Sequence, residues 1–399
     1  MSVNVLFHHR IRADDGQAVH VRELVGAMRE VGAHVHECAL VAKTGGGPTS
    51  VRTAAAAPAR RPSFWQRLRL PRTAVELLEV LYNHKGRAML RAAATARRPD
   101  FVYERHALHC RAGLDVAREL GVPLLLEVNS PMVDEMRQLG SLRLPRLARA
   151  NERAVLGGAD AVLAVTQVLA DLLVERGACR SRVHVIGNGA VPERYDEVAR
   201  AAAQQLRLRW QLPAGAFALG FVGYMRPWHR LDLVLEVMRR PGLEALVLVL
   251  MGRGPALAPL QQAAAAAGLG QRVLALGEVA PELLPAHVLA CDGALIPAIN
   301  AYASPLKLFD SLAAAVPTLA PDQPNLRESI EDGRTGLLFR PGDVDDLAGR
   351  LRRLLSDRQL ARSIGAAGQA RLLAQRWTWR GNAERVLALG QALAAERRR

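Results

Sequence analysis

The chain has 399 residues, of which 50% are hydrophobic and 23% are charged, and its formal net charge is +15. This length suggests two domains, each with a sizeable core, and the composition excludes disorder, collagen and coiled coil as descriptions of the whole chain. The excess of Lys and Arg favours an anionic partner, which leaves phosphate compounds, an anionic membrane surface and nucleic acid as candidates.

The first half of the chain alternates short apolar runs with segments of helical periodicity. Residues 3–7 predict a buried strand, a polar loop follows at 10–17, and apolar residues at helical spacing then predict a helix that ends at Gly32. A second strand is predicted at 35–41. After a long loop, the alternation continues with helices at 74–94, 113–120 and 145–156 and strands at 101–103, 123–128 and 161–165.

The long loop at 42–72 differs from its surroundings. It is rich in Gly and Pro, it contains no acidic residue, and two aromatic residues lie among its arginines. A long loop in a compact domain is usually functional or disordered. We therefore interpret it as a docking segment for anionic lipid or a phosphate-bearing acceptor, or else as a solvated surface loop. The candidate docking residues are Arg60, Arg61, Phe64, Trp65, Arg67 and Arg69.

The second half of the chain repeats the pattern of the first. The segment 183–195, with Gly187, Gly189 and Pro192, marks a domain boundary, and the alternation restarts at residue 216. Strands are predicted at 218–222, 245–251, 272–276, 293–297 and 318–320, with helices between them. Repeated alternation of strand and helix predicts a parallel sheet covered by helices on both faces. We expect an α/β protein with two Rossmann-like domains, residues 1–190 and 191–376.

Cysteine usage and hydropathy predict a reduced, cytoplasmic setting. The four cysteines are isolated, so neither a disulfide framework nor a zinc site is expected. No signal peptide is expected, and two aspartates interrupt the longest apolar segment, 154–174, which predicts a soluble or membrane-peripheral protein. The sequence has no GxGxxG after a strand, no P-loop, no GxSxG and no HExxH, which argues against dinucleotide binding and against the corresponding hydrolases.

Residues 304–310, with the sequence SPLKLFD, are the most informative stretch for function. Pro305 suits the start of a helix, whose free N–H groups and positive dipole end form a site for a diphosphate. Lys307 adds a cation one turn inside, and it is one of only three lysines among 53 basic residues. Asp310 follows on the same face and suits a ribose diol. The alternative interpretation is a capped structural helix with a solvated lysine.

Several segments, taken in their order and spacing, resemble the family 4 retaining glycosyltransferases, which have the GT-B fold. The resemblance rests on Asn188-Gly189 and on GFVGYMRPWHRLDLVLE at 220–236, MGRGP at 251–255, the segment 304–328 and DGRTGLLFRPGD at 332–343. The segments 7–24 and 103–131 resemble a branch found in bacterial polysaccharide assembly. Together, these segments extend over nearly the whole chain.

The resemblance implies two Rossmann-like domains that face a cleft. The first would bind the acceptor, and the second would bind the nucleotide sugar, most commonly of UDP or GDP type. The last helix, within 377–399, would cross back to the first domain. The implied reaction is sugar transfer with retention of anomeric configuration. No metal or other cofactor is implied, because protein cations and helix N-termini take the charge of the leaving diphosphate.

The resemblance also implies which residues bind the donor. Two glutamates of the family, eight positions apart, correspond to Tyr302, which cannot replace a carboxylate, and to Asp310, which can still accept ribose hydroxyls. The family's phosphate-binding Arg and Lys are replaced here, so Arg226 and Lys307 are expected to supply the positive charge. The candidate donor-binding residues are Gly16, Gln17, Gly223, Arg226, His229, Tyr302, Ala303, Ser304, Leu306, Lys307 and Asp310.

The first domain supplies further candidates at its strand ends. Gly16-Gln17 permits close approach of the backbone to a phosphate, unless it is an ordinary tight turn. Residues 104–105 and Glu127 are expected to face the cleft, or else to form a structural ion-pair network. Asn129 corresponds to a His that faces the donor sugar in the family. The candidate catalytic residues are Arg105, Glu127 and Asn129.

From these features we expect a glycosyltransferase that extends a cell-surface or lipid-linked glycan, in the cytoplasm or peripherally at the inner face of the cytoplasmic membrane. Two alternatives remain open: a non-catalytic protein that binds nucleotide sugars, and a transferase that acts on a soluble small acceptor. Nucleic acid is not an expected partner, because the basic residues are spread over both halves and no helix-turn-helix is evident.

Overall fold

The first half of the chain builds a six-stranded parallel sheet. In this computed structural model, which describes residues 2–11, 16–39 and 71–399, its strands follow the order β2-β1-β3-β4-β5-β6. Such a sheet is buried on both faces, so its strands read as continuous apolar runs. The strands are β1 (Asn4–His9), β2 (His34–Ala39), β3 (Phe101–Arg105), β4 (Leu124–Val128), β5 (Ala161–Ala164) and β6 (Val183–Val185).

Helices cover both faces of this first sheet. On one face, Leu24 and Met28 of the first helix share a core with Phe7 of β1. On the other face, Leu90 and Leu114 share a core with the alternate residues of the same strands. The helices are α1 (Gly16–Glu30), α2 (Arg72–Ala96), α3 (Ala112–Leu120), α4 (Met132–Gln138), α5 (Pro145–Gly158) and α6 (Gln167–Glu175).

The second half of the chain builds another six-stranded parallel sheet, in the order β12-β11-β10-β7-β8-β9. Its strands are β7 (Phe217–Val222), β8 (Leu246–Met251), β9 (Val273–Gly277), β10 (Gly293–Leu295), β11 (Thr318–Pro321) and β12 (Leu337–Phe339). Its helices are α7 (Glu197–Arg209), α8 (Leu231–Met238), α9 (Leu257–Ala266), α10 (Leu284–Leu289), α11 (Leu306–Ala313), α12 (Pro324–Arg327), α13 (Val344–Ser356) and α14 (Arg358–Ala374).

The last helix, α15 (Trp379–Arg398), returns to the first sheet. Thr378 caps it, because its hydroxyl oxygen accepts the Gly381 N–H at 2.9 Å, and a β-bridge joins Thr378 to Ala190. The helix then packs against α1 and β3, and Trp379 joins the core of the first sheet. At Gly390 the helix is so close to Phe101 that a side chain there would collide with the aromatic ring.

The observed architecture confirms the predicted fold class, including the last helix that crosses back. Sequence reasoning missed β6, which has only three residues and lies at the sheet edge within the expected boundary segment. The domain limits at 190 and 376 stay a prediction. The docking residues Arg60, Arg61, Phe64, Trp65, Arg67 and Arg69 lie outside the described residues, and so does most of the loop at 42–72.

The close approach of α15 to the sheet is open to a direct test. We expect Gly390→Ala to lower the free energy of unfolding by about 1–3 kcal/mol, because the methyl group must displace the Phe101 ring. Gly349→Ala on α13 is the matched control: it has open space around it, and better helix propensity should raise stability by up to about 1 kcal/mol. Equal urea-unfolding stabilities for the two variants would show that α15 does not pack as described.

Candidate functional site

Two helices, one from each half of the chain, point their N-termini at the same cleft. Gly16-Gln17 begins α1 and Leu306 begins α11, and a methyl group placed on Gly16 would lie 3.6 Å from Leu306 Cδ1. The N–H groups of a first helical turn have no partner within the helix and carry partial positive charge. Both helices follow parallel strands, at the edge where such sheets bind ligands. The cleft therefore favours an anion.

Lys307 places an ammonium group in this cleft. Its Nζ lies 4.0 Å from the centre of the Phe221 ring, and a Cβ on Gly223 would lie 3.5 Å from the same nitrogen. Burial lowers the pKa of Lys307 to about 7, and it is the sole cause of the shift, so no carboxylate in the described part of the chain offsets it. A diphosphate would supply the missing counter-ion.

His229, in the loop after β7, lies close to Lys307. Its ring packs edge-on against Phe221, and its Nδ1 accepts the backbone N–H of Arg226 at 3.2 Å. Burial, together with the charges of Lys307 and Arg226, lowers the pKa of His229 to about 4. The ring is therefore neutral at pH 7 and keeps its proton on Nε2, where it can donate a hydrogen bond.

Arg226 is held between two exposed aromatic rings of the same loop. Its guanidinium carbon lies 4.8 Å from the centre of the Tyr224 ring and 4.9 Å from that of Trp228. Cation–π contacts of this kind restrict a long side chain without neutralising its charge. The loop therefore presents a second fixed cation.

Asparagine side chains fix the loop that precedes α11. Asn188 donates from Nδ2 to the Ser304 carbonyl at 2.5 Å, and Asn325 donates to the Ala303 carbonyl at 2.7 Å. Because both bonds end on carbonyl groups, they position the loop without using the N–H groups of the first turn of α11. The predicted residues 303–307 are thus brought to the cleft as one unit.

Asp310 lies one turn into α11. Its Oδ1 accepts the hydroxyl of Tyr195 at 3.0 Å. Burial raises the pKa of Asp310 to about 6, although the Tyr195 bond and the charge of Arg194 act in the opposite direction. Above pH 6 the group is a poorly solvated carboxylate, which is a strong acceptor for hydroxyl groups.

On the other side of the cleft, Glu127 organises the end of β4. Its carboxylate accepts hydrogen bonds from Tyr103, Arg105 and Asn129, and one oxygen lies 3.1 Å from Nε2 of His20. Burial alone would raise the pKa of Glu127, but the charges and hydrogen bonds of these neighbours lower it. Only 3% of Glu127 is exposed, and its hydrogen bonds fix the positions of the other two predicted catalytic residues.

His20 and Asn188, which sequence reasoning missed as site residues, connect the two halves. His20 Nδ1 lies 2.7 Å from Asn188 Oδ1, and Asn188 in turn holds Ser304. A continuous series of contacts thus runs from Glu127 to the loop before α11. One signal for His20 was available in the sequence: it lies one helical turn after Gly16, on the helix predicted to face the cleft.

Tyr302 also connects the two halves. Its hydroxyl donates to Glu135 of α4 and accepts from the Asn300 amide at 2.9 Å, and its carbonyl accepts from Thr166 at 2.8 Å. The side chain is thus held by protein groups. The predicted contact with a donor sugar requires the bond to Glu135 to break.

Glu104 does not face the cleft; of the two interpretations, its contacts fit the structural ion-pair network. Its carboxylate lies 2.6 Å from His8 Nδ1 and accepts the Gly113 N–H at 2.7 Å, within the core on the far side of the sheet. The cause is the strand period of two, which points Glu104 and Arg105 to opposite faces.

Two family descriptions match almost the whole chain. Residues 15–189 match the "Glycosyl transferase 4-like domain", and residues 203–371 match "Glycosyl transferases group 1". The first match contains α1 and the Glu127 contacts, and the second contains the β7 loop and α11. The chain belongs to the family 4 glycosyltransferases.

A curated relative agrees with this family. The D-inositol 3-phosphate glycosyltransferase of Nocardia farcinica is 33% identical over 247 residues, which are 59% of this chain and 53% of that protein. The alignment thus spans about half the length of this relative.

Two solved structures share the fold over nearly their full lengths. Sucrose-phosphate synthase from Thermosynechococcus elongatus has a TM-score of 0.76 at 20% identity, over 99% of this chain and 100% of that one. The Anabaena protein HepE, in complex with UDP and glucose, has a TM-score of 0.68 at 16% identity, over 97% and 99%. These likenesses show the fold.

Protonation of Lys307 should control donor affinity. Because its pKa in the free protein is about 7, affinity for a nucleotide sugar should fall as pH rises from 6.5 to 9, by up to about tenfold per pH unit. Lys307→Ala should bind about ten- to a hundredfold more weakly and lose this pH dependence. Titration calorimetry measures both, with exposed Lys85→Ala as control. An unchanged affinity and pH profile for Lys307→Ala would contradict the assignment.

A substitution at Asp310 should lower activity without lowering stability. Its pKa in the folded protein is above its ordinary value of 3.8, so the carboxylate costs stability above pH 6 and Asp310→Asn removes that cost. At pH 7.5 this variant should keep or raise the melting temperature, while kcat/KM falls tenfold or more. Asp171→Asn, at a half-exposed carboxylate on α6, is the control. A large loss of stability with full activity would show that Asp310 serves packing alone.

Proposed function

We propose that this protein transfers a sugar, with retention of configuration, from a nucleotide-diphosphate sugar to a glycan or lipid-linked acceptor in the synthesis of a bacterial cell-surface polysaccharide. The observation that carries the proposal is the buried ammonium of Lys307 at the N-terminus of α11, opposite the N-terminus of α1. Family membership supports sugar transfer as the reaction. The segments 7–24 and 103–131, which resemble proteins of bacterial polysaccharide assembly, support the polysaccharide context.

The proposed catalysis depends on stabilising the negative charge of the leaving diphosphate. When the bond to the sugar breaks, negative charge grows on the leaving diphosphate, and preorganised donors at that point lower the barrier. Lys307, Arg226 and the neutral His229 supply such donors, together with the first turn of α11. We expect these groups to serve without a metal ion.

The sugar itself would meet Arg105 and Asn129. Because the Asn129 amide nitrogen donates to Glu127, its Oδ1 remains to accept a sugar hydroxyl. Asp310 would hold the ribose of the nucleotide. UDP and GDP are both candidate nucleotides, and the Anabaena structure bound to UDP supports the former.

Two rival functions are compatible with the same fold. The Nocardia relative is named for a soluble inositol phosphate acceptor, which favours a small-molecule acceptor. The engaged hydroxyl of Tyr302, where the family has a carboxylate, favours a protein that binds a nucleotide sugar without turnover.

A donor screen distinguishes these functions. The purified protein is incubated with UDP-, GDP-, ADP- and dTDP-sugars, and binding, hydrolysis and transfer are measured, with NMR on the anomeric proton of any product. We expect one nucleotide class to bind and turn over, and the product to keep the donor's anomeric configuration. Binding without turnover would support the rival binding protein, and no binding at all would refute the proposal.

An exposed apolar face on α2 supports a peripheral position at a membrane. Leu77, Leu78 and Leu81 are 50%, 54% and 58% exposed. The backbone N–H of Arg143 donates to Glu76 of the same helix, so a basic segment lies close to α2. Arg143 and Arg146 of that segment are exposed. Leucines beside arginines suit the interface of an anionic bilayer. Among the described helices, none is both long and apolar enough to cross a membrane.

Vesicle binding tests this surface. We expect the wild type to co-sediment with anionic vesicles in a salt-sensitive way, because exposed charges are screened at high ionic strength. Changing Leu77, Leu78 and Leu81 to Ser should weaken binding at least tenfold, since each partly buried leucine contributes about 1 kcal/mol or more. Val198→Ser with Leu208→Ser, at residues that are 76% and 71% exposed on α7, is the control. Equal binding by both variants would rule out docking through α2.

A further inference from the structure

A second polar cavity opens beside the cleft, within the first half of the chain. Its volume is about 380 Å³. Arg10 lines it at the end of β1, and Arg105 and His106 line it at the end of β3. Arg72 and Glu79 of α2 complete its polar wall, and Met132 and Met136 belong to its apolar wall.

Three buried polar atoms in this lining lack a hydrogen-bond partner among the described residues. They are Arg10 Nε, His106 Nδ1 and Glu79 Oε2. Buried polar groups in folded proteins are nearly always paired, so three unpaired ones in one small cavity indicate a missing ligand. His106 is only 8% exposed, which makes its unpaired nitrogen the most telling of the three.

The charges in the cavity favour an anion. Arg10 donates to the Leu108 carbonyl at 3.0 Å and lies 4.5 Å from the centre of the Tyr82 ring, and neither contact neutralises its charge. Arg72 donates to the Ser141 carbonyl at 2.7 Å, and its Nε is 3.9 Å from a carboxylate oxygen of Glu76. Among these lining cations, Arg105 has the closest carboxylate, that of Glu127, and Arg72 has a more distant one, that of Glu76.

We propose that this cavity is an acceptor subsite for an anionic group, in which Arg10 and Arg105 bind a phosphate or carboxylate carried by a hydroxylated acceptor. Glu79 then accepts the acceptor's hydroxyl groups, and the methionines cover its apolar face. The assignment rests on the proposed function, because it presumes an acceptor beside the donor cleft. Two lining residues make that connection: Gln17 follows Gly16 of the cleft, and Arg105 is bonded to Glu127.

His106 is the titratable imidazole of this cavity. Burial lowers its pKa to about 4, although the charge of Glu104 acts in the opposite direction. The ring is therefore neutral at pH 7. An anion bound nearby would favour the imidazolium and raise this pKa, which gives a readout independent of catalysis.

The test uses the full chain with Lys307→Ala, so that added phosphate does not bind at the diphosphate site. Inorganic phosphate and glucose 6-phosphate are titrated by calorimetry, with glucose as the uncharged comparison. Both anions should bind, and Arg10→Gln should weaken them about ten- to a hundredfold. Arg91→Gln, whose side chain pairs with Glu119 on the surface, is the matched control. NMR titration of His106, assigned with His106→Gln, should show its pKa rise when phosphate is bound.

A second arm distinguishes free from lipid-linked acceptors. Phosphatidylcholine vesicles with and without polyprenyl phosphate are tested for binding to the wild type and to Arg10→Gln. Arg10-dependent binding of polyprenyl phosphate alone assigns a lipid-linked acceptor, and Arg10-dependent binding of glucose 6-phosphate alone assigns a free one.

The proposal is overturned if no anion binds, if Arg10→Gln binds as tightly as its parent, or if the His106 pKa is unchanged by phosphate. Nucleotide-sugar binding by the wild type is measured separately. Its failure would refute the proposed function, whereas a failure confined to the phosphate titrations would refute the anion subsite alone.

Discussion

Lys307 carries a positive charge that its buried surroundings disfavour. The other groups of the cleft are arranged around this charge. Its ammonium is buried against Phe221 and Gly223, where the aromatic ring offers a cation–π contact. Two helix N-termini add positive potential from opposite sides. A protein keeps such an arrangement when a ligand supplies the opposite charge, since an uncompensated buried cation is costly. The cleft is thus preorganised for a dianionic group before any ligand arrives.

The two halves differ in how they prepare the site. Among the described residues, the second half leaves Lys307 and Arg226 without a carboxylate partner, whereas the first half pairs Arg105 with Glu127. His20 and Asn188 join the two arrangements, so the position of the loop before α11 depends on side chains of the first sheet. This coupling explains how a residue such as Glu127 can affect donor geometry without touching the donor.

Much of the fold was predictable from local pattern. Continuous apolar runs between helical segments indicated two parallel sheets, and the βα order placed Lys307 and Gly16 at strand ends. Short or edge elements such as β6 were missed, because three half-exposed residues carry little periodicity. Residues 104 and 105 were expected together at the cleft or in an ion-pair network, but successive strand residues point to opposite faces, so Glu104 joins a buried pair with His8 and Arg105 does not.

The site was predictable from the sequence only where its residues lie together in one short segment. SPLKLFD indicated an anion site by itself, but the contact between Tyr302 and Glu135 joins residues from different halves, and no local pattern shows it. The same holds for the unpaired atoms of Arg10, Glu79 and His106, which meet only after folding. Long-range side-chain pairing therefore marks where sequence reasoning ended.

The central claim is that the diphosphate of the donor lies between Lys307 and the two helix N-termini. A crystal structure of the protein with its preferred nucleoside diphosphate tests this most directly. We expect the outer phosphate within hydrogen-bond distance of Lys307 Nζ and of first-turn N–H groups of α11, with Gly16 facing it across the cleft. A nucleotide whose diphosphate lies away from Lys307, with that side chain unmoved, would contradict the account.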